Sequence, residues 1–283
     1  MQARGDVKPV LKWAGGKRQL LGPILEFVER AFPDGIAKYY EPFAGGAAVF
    51  FALVAEGKFE RAKLSDKNED LIRVYRALRD HADLVIAELA KLCESGHSEE
   101  TYYAVRAARP RSASARAARL IYLNKTGYNG LYRVNRSGEF NVPYGRYKKP
   151  RILDEARLLA AAEALQGVEL EVEDFEASCA KAGRRDFVYF DPPYVPVSKT
   201  ASFSSYHSEA FGLPEHERLA KALHKLHKRG VSTLLSNSDT PETRKLYRGF
   251  ETNVVLAKRA INSDATRRGA VQELLVHGKA KAR

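Results

Sequence analysis

Apolar positions recur at helical spacing over residues 19–31 (QLLGPILEFVERA), and Pro33 closes that segment. The short aromatic run KYYEPF (38–43) predicts a strand leading into a glycine turn at Gly45 and Gly46. AAVFFALVAEG (47–57) is apolar on every side, predicting a buried helix stopped by Gly57. AKLSD (62–66) predicts a second strand ending at Asp66, and NEDLIRVYRAL (68–78) the polar start of the next helix. Strand, glycine turn, helix and strand in this order open a nucleotide-binding α/β sheet.

From about Leu78 to Arg151 the rhythm stops. Two Ala-, Arg- and Leu-rich helical stretches, Leu84–Leu92 and roughly Ala113–Leu123, lead into the polar run KTGYNGLYRVNRSGEFNVPYG (125–145). With three Tyr, three Asn and four Gly, that run is unfit for a core helix. The α/β rhythm resumes with the helix EARLLAAAEALQ (155–166), capped by Asp154 and ended by Gly167. Further strands are predicted at Val168–Val172, Phe187–Phe190, Ser232–Ser236, Asn253–Leu256 and Glu273–Val276, with a charged helix over Glu215–Arg229. The expected organisation is a discontinuous α/β domain, residues 1–77 and 152–283, interrupted by an inserted domain over 78–151.

Charge sharpens the division. The 283-residue chain carries a net +12, while residues 101–151 hold twelve Lys and Arg against one acid, Glu139. Nearly all the excess positive charge therefore sits in the insertion, which points to a polyanionic partner. Arg106, Arg109, Arg111, Arg116 and Arg119 form either a sequence-independent electrostatic surface or an ordinary solvated helix face. Two cysteines exclude a disulfide framework and a cysteine-rich zinc site. The N-terminus has no apolar signal core and no run reaches membrane-spanning length, so a cytoplasmic protein without membrane contact is expected. His216, His224 and His227 share the predicted charged helix, but without HExxH or a nearby ligating Cys they read as a hydrated face, and no metal is expected.

Two motifs carry candidate chemistry. In EPFAGGAAVF (41–50) the glycine pair after a strand lets backbone approach a ligand, with helix N–H groups facing it. Asp66, about twenty residues on at the end of the next strand, stands where an acid commonly accepts ribose hydroxyls. A cofactor with an adenosine half fits; a phosphate loop does not, because no GK[ST] follows. In FVYFDPPY (187–194) a fully apolar strand ends in Asp191-Pro192-Pro193-Tyr194. Two prolines hold their carbonyls in set directions. The Asp side chain and a Pro carbonyl can then accept both hydrogens of an exocyclic amino group. Tyr194 offers a face on which an extruded base can stack.

KWAGGK (12–17), EPFAGGAAVF, LSD (64–66), DPPY and the run at 125–145 together resemble the Dam-type (α-group, D12 class) adenine-N6 DNA methyltransferases, from about Lys8 to Val276. The resemblance implies a Rossmann-like, mostly parallel sheet with an antiparallel last strand, and an inserted helical and β-hairpin DNA-recognition subdomain. It implies S-adenosylmethionine as cofactor, with contacts at Trp13, Lys17, Asp66 and Asp191, and with Phe43, Ala44 and Gly45 lining the methionine end. Asp174 and Phe175 match the pair that receives the cofactor adenine, the acid or backbone bonding its amino group while Phe packs on the ring. Ala47 is a departure, since relatives often have glycine or serine there; it is expected to be tolerated.

In the family, the GYNGL…FNVPxG stretch is a β-hairpin placed in the major groove of duplex DNA. Leu131, Arg133 and Pro143 would contact base edges, Tyr128 would enter the base stack and Asn129 would support it. Lys12, Tyr147, Lys148 and Lys149 would meet phosphate or flanking positions. The polar segments ASFSSYHSEAF (201–211) and RAINSDATRRG (259–269) could close over the flipped base or touch DNA. The implied reaction is methyl transfer to N6 of an adenine flipped from duplex DNA at a GATC or GAT-containing site, without a metal. Cytosine-N4 methylation, an RNA substrate and a catalytically inactive DNA-binding relative are the alternatives. Many relatives act as monomers, and some pair with a restriction endonuclease.

Overall fold

The computed structural model describes residues 7–13, 19–195, 211–258 and 270–278. Its elements are α1 (Leu21–Ala31), β1 (Ile36–Glu41), α2 (Ala48–Ala55), β2 (Phe59–Asp66), α3 (Glu69–Glu94), α4 (Glu99–Ala107), α5 (Ala113–Thr126), α6 (Glu155–Ala164), β3 (Glu169–Val172), α7 (Phe175–Ser178), β4 (Phe187–Phe190), α8 (Leu213–Lys228), β5 (Ser232–Ser238), α9 (Pro241–Leu246), β6 (Glu251–Lys258) and β7 (Ala270–Gly278). The strands form one seven-stranded sheet in the order β3-β2-β1-β4-β5-β7-β6. β3, β2, β1, β4 and β5 pair in parallel, and β7 runs antiparallel to both β5 and β6. The Rossmann-like sheet with an antiparallel last strand is therefore observed, with that strand lying inside the sheet.

β4 shows why the apolar runs were legible. All four of its residues are buried. Phe187 and Tyr189 face one core, with α1 and α2 residues such as Phe27 and Phe50; Val188 and Phe190 face the other, with Leu219 and Leu223 of α8. A strand covered on both faces has no polar alternation to show. Full burial of such side chains contributes about 1.5–3 kcal/mol each, before conformational entropy is counted.

The inserted region departs from expectation in three places. α3 continues through residue 78 as far as Glu94, bending at His81 (φ −149°, ψ 48°), so the insertion grows out of a helix rather than following one. An unforeseen helix, α4, is capped by Ser98, whose Oγ accepts the Thr101 N–H at 3.1 Å, with Glu99 and Glu100 at its positive end. The expected β-hairpin at 125–145 is irregular: it has two isolated antiparallel bridges, Gly127 with Tyr144 and Val134 with Phe140, after a 3₁₀ turn at Tyr128–Gly130. Asn135 Oδ1 closes its tip by accepting the Ser137 and Glu139 N–H groups at 3.0 and 2.9 Å. Such local side-chain bonds compete with a regular ladder. Asp154 precedes α6 but makes no capping bond; Arg151 and Arg157 hold its carboxylate at 3.0 and 3.2 Å.

Candidate active site and nucleic-acid interface

Because β3, β2, β1, β4 and β5 are parallel, their C-terminal ends lie along one edge, where ligands of such sheets bind. The turn after β1 is tied to the end of β2. Gly45 N–H donates to Asp66 Oδ2 at 3.0 Å, its carbonyl accepts Tyr75 Oη at 2.7 Å, and Ala44 N–H reaches the Ser65 carbonyl at 2.9 Å. Asp66 Oδ1 accepts the Asn68 N–H at 2.9 Å. Buried Glu41 fastens the other side, accepting Tyr39 Oη at 2.9 Å and the Phe50 N–H of α2 at 3.1 Å. Burial first, then the Glu41 carboxylate, pushes the Tyr39 hydroxyl well above its ordinary pKa and keeps it a donor.

Gly45 has φ +46°, and a Cβ there would lie 2.8 Å from Cδ1 of Trp13. The indole thus lies directly on the glycine turn rather than in a remote core, in a cradle that a side chain at 45 would fill. Ala47 adopts a left-handed conformation (φ 53°, ψ 36°) that glycine would take without strain; for alanine the cost is about 1–2 kcal/mol. Lys17 lies outside the described residues.

At the end of β3 the expected adenine pair is already engaged. The ring of Phe175, 1% exposed, stacks on Phe43 at 5.5 Å and 26° and carries the Arg218 guanidinium 4.3 Å over it. Asp174 pairs with Arg218 and with Lys67 (3.0 Å) and accepts the Glu176 N–H at 3.0 Å. Burial would raise the Asp174 pKa, but Arg218, the Glu176 N–H and Lys67 together hold it below its ordinary value. The Phe175 ring is thus covered by Phe43 and Arg218, while the Asp174 carboxylate is ion-paired and half-buried. Arg218 and Lys67 carried no sequence signal beyond lying in charged stretches.

At the end of β4, Pro192 is buried and Asp191 and Tyr194 are half-buried, while Pro193 is exposed. Ser236 Oγ donates to Asp191 Oδ1 at 2.9 Å and lies 3.0 Å from Tyr189 Oη, making a phenol–hydroxyl–carboxylate chain. Tyr194 Oη donates to Glu273 Oε2 at 2.9 Å. Burial, then the charges of Asp191 and Glu273, raises the Tyr194 hydroxyl well above its usual range, so it is neutral. Val195 is pinned at both backbone groups: its N–H reaches Asn237 Oδ1 at 3.0 Å and its carbonyl accepts Ser238 Oγ at 2.6 Å. Ser236, Asn237 and Ser238 had a legible signal that the strand assignment passed over: three buried polar residues closing an apolar strand, LLSNS.

His216, expected on a hydrated face, is 2% exposed and stands edge-on to Phe211 at 4.9 Å. Neither ring nitrogen has a partner at hydrogen-bonding geometry among the described residues, although the Pro193 carbonyl is close enough to favour the protonated ring slightly. Burial dominates and brings its pKa down to about 4. Among the described residues no cluster of His, Cys, Asp or Glu could hold a metal ion.

In the insertion, Tyr128, Asn129, Arg133, Pro143 and Lys148 are exposed, and Leu131 and Tyr147 half-buried. Asn129 holds φ 54° in the 3₁₀ turn. Arg133 is braced by Asn141, donating from Nε to Oδ1 at 2.7 Å and from Nη2 to the carbonyl at 3.0 Å. The Lys12 ammonium sits 4.6 Å above the Tyr147 ring. Four of the five arginines expected as an electrostatic surface or a solvated helix face also bond to the scaffold, with Arg109 and Arg116 still exposed and Arg106 and Arg119 half-buried. Arg106 Nη1 donates to the Val142 carbonyl (3.1 Å), Arg116 Nε to that of Pro110 (3.0 Å) and Arg119 Nε to that of Val105 (2.9 Å), while Arg109 pairs with Glu139 at 2.5 Å. Arg111 is exposed. The segments at 201–211 and 259–269 lie outside the described residues except for buried Phe211, which packs edge-on to Phe43 at 5.5 Å.

Residues 13–261 match the family of D12 class N6 adenine-specific DNA methyltransferases. The chain is 44% identical to the type II methyltransferase M.MjaIII of Methanocaldococcus jannaschii, with 96% of this chain and 99% of that protein covered. It is 37% identical to the type II methyltransferase M1.LlaDCHI of Lactococcus lactis subsp. cremoris, over 96% of this chain and 95% of the relative. To the DNA adenine methylase of Escherichia coli K12 it is 39% identical, over 94% and 93%. With glycine turn, acid-terminated β2, Asp-Pro-Pro-Tyr edge and the basic segment over 101–151 all in one chain, it belongs to the D12 class of N6 adenine-specific DNA methyltransferases.

Proposed function

We propose that the chain methylates N6 of an adenine extruded from duplex DNA, at GATC or a longer site containing GAT, with S-adenosylmethionine as donor. The observation that carries this reading is the setting of Asp191. Its carboxylate ends a fully buried strand, is oriented by Ser236, and is followed by two prolines at the edge shared with the Gly45–Asp66 turn. Two acceptors, Asp191 and the Pro192 carbonyl, bind an exocyclic amino group and localise its nitrogen lone pair; positioning and these hydrogen bonds, rather than a strong base, do the work. Tyr194, tethered through its hydroxyl to Glu273, supplies a ring of set orientation for a flipped base.

The residues fit the donor. Trp13, Phe43, Ala44 and Gly45 surround the turn, Asp66 closes it, and a carboxylate oxygen can accept more than one hydrogen bond, so ribose recognition is compatible with the bonds Asp66 already makes. When bound, S-adenosylmethionine supplies an electrophilic methyl on a sulfonium. At 5.5 Å the Phe43 and Phe175 rings leave no space between them, so an adenine entering there has to part them. On the DNA side, Asn141 holds Nε and Nη2 of exposed Arg133, which leaves Nη1 and the second Nη2 hydrogen for a guanine edge. Lys12, Tyr147 and Lys148 serve the backbone, with Tyr128 and Asn129 at the base stack.

Tritium transfer from labelled donor to a GATC duplex tests the reading. Asp191→Ala is expected to abolish transfer while retaining DNA binding; unchanged turnover would sink the mechanism. Arg133→Ala should relax preference at one base by about 1–3 kcal/mol. Equal losses on cognate and scrambled duplex would remove Arg133 from sequence reading. Sequencing modified bases in DNA from cells expressing the protein reports both base and site.

A further inference from the structure

One residue joins the two halves of the site. Tyr132 lies between Leu131 and Arg133, and its ring stacks on Trp13 at 5.6 Å and 26°. Trp13 in turn rests on the Gly45–Gly46 turn, where a Cβ at either glycine would come within 3.0 Å of it. The hydroxyl of Tyr132 makes a second connection, donating to Asp70 Oδ2 at 2.8 Å. Asp70 opens α3 just beyond Asp66 and Asn68, themselves joined through the Asn68 N–H. On its other side, Tyr132 stands edge-on to Phe140 (5.9 Å, 70°), and the next residue, Asn141, braces Arg133. A parallel tie runs through buried Asn124. Its side chain clamps the Lys12 backbone at N–H and carbonyl, both at 2.7 Å, and donates to the Gly130 carbonyl at 3.0 Å.

We propose that Tyr132 is a positioning residue that couples occupancy of the cofactor turn to the arrangement of Arg133, so that donor and cognate duplex bind cooperatively. This rests on the reading above, in which Gly45 and Asp66 hold the cofactor and Arg133 reads a base. A ligand seated against Gly45 and Asp66 touches the turn that carries Trp13 and the loop that leads to Asp70. Both of these end on Tyr132, whose flanking residues face DNA. Binding on one side thereby restricts the ring from two directions and orders Arg133 before DNA arrives, and by linkage the effect is reciprocal. Asn124 keeps the backbones of residues 12 and 130 together, so that motion at the ring is not lost in a loose joint.

The test uses the full chain and the non-transferring analogue sinefungin. Its dissociation constant is measured alone, with saturating short duplex bearing one GATC, and with the same duplex altered at the guanine. In the unaltered protein the cognate duplex is expected to tighten sinefungin roughly 5–150-fold, the usual range for coupled sites, and the altered duplex much less. Tyr132→Leu should bring the coupling to within about twofold while the binary dissociation constants change little; Tyr132→Phe, which keeps the stack and loses the Asp70 bond, should fall between. Asp70→Asn, which weakens the same bond from the α3 side, should resemble Tyr132→Phe. Thermal melts establish that each variant is folded, and Tyr132→Phe keeps the test decisive if Tyr132→Leu is not. Full coupling in folded Tyr132→Leu or Tyr132→Phe together with Asp70→Asn would overturn the proposal. So would a wild-type protein that binds both ligands independently, a result that leaves the site reading intact. Failure of the wild type to bind sinefungin, or to prefer GATC, would overturn the site reading and the coupling with it.

Discussion

His216 should make the protein acid-sensitive in a calculable way. The imidazole is 2% exposed, packed against Phe211, and burial lowers its pKa from 6.5 to about 4. A buried neutral histidine resists the proton that the unfolded chain takes up at pH 6.5, so stability is complete above that pH and is lost as pH falls toward 4. At about 1.4 kcal/mol for each tenfold difference in proton affinity, the full loss is about 3 kcal/mol, with about 2 kcal/mol gone at pH 5. Carboxylates titrate in the same range, so the informative quantity is a difference. Urea unfolding of wild type and His216→Leu is measured at intervals from pH 7.5 to pH 4, and the two stability curves are subtracted. The variant keeps an apolar side chain of similar bulk against Phe211 and has nothing to titrate. The difference should be flat above about pH 7 and shift in favour of the variant by about 2 kcal/mol at pH 5. A difference that does not change with pH would refute the assignment of a neutral buried ring.

Two other outcomes follow from the site. Gly45→Ala combines a left-handed backbone (φ +46°) with a Cβ 2.8 Å from Trp13, so it should cost about 1–2 kcal/mol in stability, read by urea unfolding, and weaken sinefungin binding by displacing the indole. Lys125, mostly buried near Arg157 and Lys12, has a pKa lowered from 10.5 to about 8, by burial first and by those cations second. The charged fraction falls as pH rises through 8, so any Lys125 contribution to DNA affinity should fade between pH 7 and 9. The folding penalty of its charge fades over pH 8 to 10.5 for the same reason. Duplex titrations at pH 7 and 9 should show that loss in wild type and a smaller one in Lys125→Arg; equal losses would exclude Lys125 from binding.

What could be read in advance was what local pattern encodes. Phe187–Phe190 is apolar throughout because both its faces are covered, and a glycine pair between strand and helix is legible because few other residues tolerate Gly45's conformation. The irregular hairpin was harder: Asn135 and Arg133 spend side chains on its own backbone and on Asn141, where a regular ladder would use main chain alone. Asn124 and Lys12 are 112 positions apart, and Arg218 and Asp174 are 44 apart. Nothing in the neighbourhood of either residue marks its partner, since the pairs exist only once the fold has brought α5 against the segment before α1 and α8 against the end of β3. The same limit applies to the arginines. Net charge over 101–151 locates a basic region, but only the fold shows that Arg106 and Arg119 are half-buried against the Val142 and Val105 carbonyls while Arg116 stays exposed with one bond to the Pro110 carbonyl.

His216 and the LLSNS strand show which sequence features repay attention. A polar residue at a position where helix or strand period demands an apolar one has to be satisfied or made neutral, and each solution leaves a different chemical trace. Ser236 is satisfied by Asp191 and Tyr189, and so orients the residue proposed to accept N6. His216 is made neutral, and so ties the packing beside Pro193 to pH. Both lie on the apolar side of the period rather than in a recognisable motif. In this sheet, polar residues at strand and helix positions that should be apolar mark the supports of the site, while the glycine turn and Asp-Pro-Pro-Tyr mark its surface. Tyr132 belongs to neither kind. Its importance rests on a stack and a hydroxyl bond that span the insertion and the sheet, so only the assembled fold could reveal it.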